Sequence, residues 1–173
     1  PTTAKSVLLM EQSTKQILYE NNPDEKLPIA SVTKIMTLLL IMEAIDEGKI
    51  TMDDMVSVSE RAMSMGGSTM FLEAGEELSV SEMIKGIAVA SANDGCVAMA
   101  EHISGSVEAF VEMMNNRAKE LNMTNTNFQN TNGLDEENHY STARDVALMS
   151  CELLKHEKIF EFTKIWTDKM HDG

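Results

Sequence analysis

From Ser31 to Asp46 the apolar positions recur at helical spacing, and Leu38, Leu39, Leu40, Ile41 and Met42 cover every face. The pattern predicts a helix buried on all sides, with Gly48 as its stop. Upstream, Lys5 to Met10 and Gln16 to Tyr19 are short apolar-rich runs around the polar stretch Glu11 to Lys15, which predicts an N-terminal β-hairpin. Thr51 to Asp54 reads as a turn, and Met63 to Gly75, with Gly66-Gly67-Ser68 inside it, as a long irregular segment of the kind that often carries function. Ser79-Val80-Ser81-Glu82 opens a second helical stretch, interrupted at Ser91-Ala92-Asn93-Asp94-Gly95, resumed through Ile103 and stopped at Gly105. Ser106 to Leu121 predicts an amphipathic helix, Asn125 to Gly133 polar turn-rich chain, and Ser141-Thr142 the cap of a helix running to Lys155. Lys158 to Trp166 reads as a last short helical piece. Helices far outnumber strands, so the N-terminal hairpin, marginal by itself in water, needs partners.

Composition changes this picture in three places. The chain has 173 residues, 43% of them hydrophobic, enough for a real core. With 15 Met against 5% aromatics, that core is expected to be filled by flexible thioethers more than by rings. The 14 Lys and Arg against 28 Asp and Glu give a net charge of −14, which disfavours phosphate backbones and excludes nucleic acid as a first guess for a partner. The longest strongly apolar stretch, Ile35 to Met42, is far shorter than the ~20 residues that cross a bilayer. Cys96 and Cys151 show no zinc-finger spacing and read as free, buried thiols, with one disulfide as the alternative. His102, His139, His156 and His171 are scattered, so neither a metal site nor a cofactor is expected.

Two constellations carry chemistry. Ser31 and Lys34 stand three apart at the start of the buried helix, hence on one face, where an ammonium can reach a hydroxyl. Burial and the helix dipole both disfavour charge there, which is how a lysine becomes a neutral base for a serine nucleophile. Taken alone, the pair also reads as an N-cap and a surface lysine. Ser91 and Asn93 sit where two apolar helices break, either as a structural plug or as a proton-passing hydroxyl and an amide that holds a substrate carbonyl.

Together the two match the Ser-x-x-Lys and Ser-x-Asn motifs of the penicillin-recognising serine enzymes. Pro28 to Thr37, Gly67-Ser68-Thr69-Met70-Phe71-Leu72, Ala90 to Cys96 and Asn132-Gly133-Leu134, with His139-Tyr140-Ser141-Thr142-Ala143 following, closely resemble the low-molecular-mass D-alanyl-D-alanine carboxypeptidases. The resemblance runs from residue 5 to the last residues and implies an α/β (α+β) fold of the β-lactamase/transpeptidase type. In that fold the chain is a helical subdomain plus the N-terminal hairpin of an antiparallel sheet.

By resemblance, Ser31, Lys34 and Ser91 are catalytic, Asn93 binds substrate, and Gly67 and Ser68 form a substrate rim. Ser31 would attack the penultimate D-Ala carbonyl of a peptidoglycan stem pentapeptide, release the terminal D-Ala and lose its acyl group to water. β-Lactams would acylate the same serine. The oxyanion hole would use the Ser31 backbone N–H and a second N–H near the family's Lys-Thr-Gly motif. Lys-Thr-Gly occurs nowhere in residues 1–173, which implies a catalytic domain truncated before its C-terminal strands and casts the activity of the chain alone as uncertain. An unpaired hairpin edge would then favour a strand-paired homodimer. The substrate implies an extracytoplasmic location in bacteria, with neither signal nor anchor visible in the chain. The alternatives are a class A-like β-lactamase, or a non-catalytic module that binds muropeptide or β-lactam. The lactamase's loop Glu with Asn four positions on is missing, since Asp135, Glu136 and Glu137 lack that partner.

Overall fold

The computed structural model describes residues 32–134 and 136–162. The predicted hairpin, and with it the strand-paired dimer, lies outside the described residues, as do Ser31 and the end of the last predicted helix. Helix α1 (Thr33–Asp46) is buried on nearly every side, as its unbroken apolar run requires. A turn follows, in which the Asp54 carboxylate accepts from the Thr51 N–H and hydroxyl, both at 2.9 Å. The chain then continues through β1 (Met55–Ser57), the one-turn α2 (Glu60–Met63) and β2 (Glu77–Ser79). The sequence pattern had suggested neither strand. They pair antiparallel, with Val56 opposite Leu78, and among the described residues they form the only sheet.

Helix α3 (Val80–Ala90) starts from a capping box in which Ser79 and Glu82 satisfy each other's backbone N–H groups. After a two-residue break, shorter than the polar run suggested, α4 (Asn93–Ser104) begins, and Gly105 ends it at φ 82°. Ser106 caps α5 (Val107–Glu120), and Thr142 caps α6 (Ala143–Leu153), which leads into a 3-10 turn at Glu157–Ile159.

Helix α1 packs on α4, α5 and α6, so it forms the axis of the helical layer. The core is rich in thioethers: Met36, Met42, Met83, Met99, Met114 and Met149 are all essentially inaccessible, beside Phe110 and Phe128. At the far end of the axis from the candidate site, Arg117 of α5 bridges Glu43 of α1 at 2.8 Å and Glu152 of α6 at 3.4 Å. The three charges are about four-fifths buried, so this network fixes the helices against one another more firmly than exposed pairs would. Among the described residues, no helix is long and apolar enough to cross a membrane.

Candidate active site

The first turn of α1 and the α3–α4 break meet at one point. Lys34 is 6% exposed, and its Nζ donates to Ser91 Oγ at 2.9 Å across 57 residues of sequence. Ser91 reaches that position because it ends α3 in the left-handed region, at φ 53° and ψ 44°. There the following N–H, of Ala92, turns back to the Gly86 carbonyl at 3.4 Å. A non-glycine residue pays about 1–2 kcal/mol for this conformation. The conformation persists because the two helices fix the break between them.

Asn93 and Asp94 open α4 and hold a loop against it. The Asn93 backbone N–H donates to the Ser68 carbonyl at 2.8 Å, and its side-chain amide to the Gly66 carbonyl at 2.8 Å. A Cβ on Gly67, at φ +71°, would stand 2.7 Å from the Asn93 amide nitrogen, so the loop approaches as closely as glycine permits. Asp94 is 1% exposed and accepts from the N–H groups of Met70 and Leu72, at 3.0 Å each, and of Gly95, at 2.9 Å. Met70 Sδ fills a notch between two helical glycines, where a Cβ would come within 2.4 Å at Gly86 and 3.4 Å at Gly95. Between the two clamped N–H groups, Phe71 takes φ +58° and stands 89% exposed.

The structure thus brings together Lys34, Ser91, Asn93, Gly67 and Ser68. In this state Gly67 and Ser68 meet Asn93 through backbone atoms, while the Ser68 residue itself is exposed. Asp94 and the Met70 notch escaped the sequence reading, although an acidic residue in a first helical turn is a signal for backbone capture. His139 stood there in a resembling stretch, without a partner of its own. Read as one of four scattered histidines, it is buried and bonded to Thr33 of α1.

The cysteines divide. Both are free, but only Cys96 is buried; Cys151 is exposed, contrary to the expectation of two buried thiols, because it lies on α6 opposite the buried Val146, Met149 and Leu153. Burial pushes the Cys96 thiol up to about 12, against a smaller downward pull from the Lys34 charge. Iodoacetamide on the native protein at pH 8 is therefore expected to add one group, at Cys151, with the second appearing only after unfolding. Two adducts on folded protein would contradict this placement. Among the described residues, no cluster of His, Cys, Asp and Glu could hold a metal ion.

Residues 1–171 match the family model for D-alanyl-D-alanine carboxypeptidase. The chain is 58% identical over 170 residues to the D-alanyl-D-alanine carboxypeptidase DacF of Bacillus subtilis, covering 98% of this chain and 44% of that protein. It is 41% identical over 177 residues to DacC of Escherichia coli, covering 94% and 44%. Penicillin binding protein 6B of Escherichia coli superposes with a TM-score of 0.78 at 38% identity, over 83% of this chain and 47% of that one. Penicillin binding protein 5 of Haemophilus influenzae gives 0.75 at 41%, over 78% and 40%. The chain therefore spans less than half the length of the relatives it matches. The helical layer just described is part of the transpeptidase/β-lactamase fold that those structures share, and the chain belongs to the D-alanyl-D-alanine carboxypeptidase family.

Proposed function

We propose that the protein carrying this chain is a serine-type D-Ala-D-Ala carboxypeptidase that trims peptidoglycan stem pentapeptides outside the cytoplasm and is acylated by β-lactams. The observation that carries the reading is the 2.9 Å bond between the buried Lys34 amine and Ser91, two groups that sequence alone keeps 57 residues apart. A buried lysine with a hydroxyl as partner is arranged to move protons rather than to face solvent.

In the reaction, Ser31 Oγ attacks the penultimate D-Ala carbonyl carbon while its proton passes to Lys34 Nζ. The C–N bond then breaks, and the leaving amine of the terminal D-Ala takes that proton through Ser91 Oγ. Water attacks the resulting ester, Lys34 accepts its proton, and Ser31 leaves with a proton restored. The Asn93 amide has two N–H groups, so one can stay on Gly66 while the other meets the substrate, with Gly67 and Ser68 as the rim of the cleft. The lactamase alternative lacks its loop glutamate signature, and the binding-module alternative leaves the buried Lys34–Ser91 pair without a task.

Incubation of the intact protein with a labelled penicillin and intact-mass measurement test the proposal. Stoichiometric acylation that disappears in Ser31→Ala is expected, together with release of D-Ala from a D-Ala-D-Ala peptide. No adduct, or an adduct retained in Ser31→Ala, would overturn it.

A further inference from the structure

The start of α1 is held by a second contact, made by a residue 106 positions away. His139 is 6% exposed, and its two ring nitrogens meet two different segments: Nδ1 lies 2.9 Å from the Gln129 backbone nitrogen, and Nε2 lies 2.9 Å from Thr33 Oγ1. A backbone N–H can only donate, so Nδ1 is the acceptor. The ring hydrogen then sits on Nε2, where it donates to Thr33. Thr33 is wholly buried, directly precedes Lys34 and is separated from Ser31 by Val32 alone. One turn on, the Thr37 hydroxyl donates to the Thr131 carbonyl at 2.6 Å, so the 129–139 segment grips α1 at two positions on the same face. The imidazole is steadied in turn by Phe128, with ring centroids 6.0 Å apart, and by the Asn127–Tyr140 bridge beside it.

A buried polar pair contributes direction more than stability, because an apolar pair of the same shape would fill this space without a desolvation cost. What is directed here is the rotation of the first turn of α1, on which Lys34 must meet Ser91. We infer that His139 is a positioning residue: an uncharged imidazole, locked as the Nε2–H tautomer, that holds Thr33 and so sets the start of α1 for acylation at Ser31. Its proposed action runs through Thr33. The inference rests on the acylation chemistry proposed above.

The test is the second-order rate of acylation by a fluorescent penicillin, followed by stopped flow on the intact protein, with thermal unfolding in parallel. His139→Leu and Thr33→Val are each expected to slow acylation roughly ten- to a hundredfold, the penalty that small misplacements of reacting groups carry. The double variant should be no slower than the slower single, since the bond that Thr33→Val removes is one that His139→Leu has already removed. His139→Gln, which supplies a donor and an acceptor without a ring, should restore most of the rate. A wild-type rate in His139→Leu, multiplying losses in the double variant, or a folded His139→Gln as slow as His139→Leu would each overturn the inference. If His139→Leu does not fold, Thr33→Val decides: a wild-type rate overturns and a slowed rate supports. A wild-type protein that takes no label at all overturns the proposed function instead.

Discussion

Lys34→Met is expected to lower the rate of acylation by penicillin roughly 10³-fold, in the middle of the range for removing a positioned general base. Methionine keeps an unbranched stem of similar size in the buried first turn of α1, so the loss should fall on chemistry rather than on folding. What disappears is the amine bonded to Ser91 Oγ, the group proposed to take a proton from the nucleophile and pass it on. The measurement is the stopped-flow acylation rate with a matched unfolding curve. A folded Lys34→Met protein that acylates within tenfold of wild type would show that another group serves as base. Arg is no substitute, because its guanidinium cannot be deprotonated at this pH.

The largest effect on stability is expected at Asp94. Its two carboxylate oxygens accept from three backbone N–H groups, two of them in the 66–72 loop. Asp94→Ala strands those donors, at about 1–3 kcal/mol for each one that stays buried. With the Leu72 and Gly95 N–H groups buried and that of Met70 partly so, the sum is set at about 3 kcal/mol, or roughly 6–12 °C in Tm for a domain of this size. The same substitution frees the loop that closes over Asn93, so penicillin acylation should fall with it. Differential scanning calorimetry checks the first part, and an unchanged Tm would mean that the loop is held by the Met70 notch and the Asn93 bonds alone.

How much of this was legible in the residues depends on how far apart the partners lie. Helix α1 was legible to within two residues of its observed start, because an apolar run with no polar face has few other ways to be buried. The break after α3 was legible as a break but overestimated: Asn93 and Asp94 look like loop, yet they form the first turn of α4, polar because their bonds run outward to the 66–72 loop. Strands β1 and β2 are three residues each, too short for alternation to show. The Lys34–Ser91 pair was reached through motif resemblance, whereas Thr33–His139 spans 106 residues, and the resembling stretches that hold the two residues give neither of them a partner. Cys151 was misjudged by a single step along the helix: its neighbour Ser150 faces the core and it does not.

The long reach of those two contacts also orders the assembly of the site in time. Lys34 leaves the ribosome early, Ser91 follows 57 residues later, and His139 another 48 after that, 106 residues behind Thr33. At roughly 5–20 residues per second, the start of α1 therefore waits about 5–20 s between its own synthesis and the arrival of its last anchor. Until then the 14-residue α1 has neither α6 to cover it nor its fixed rotation. The amine that is to handle the proton is made before both of the side chains that set it in place.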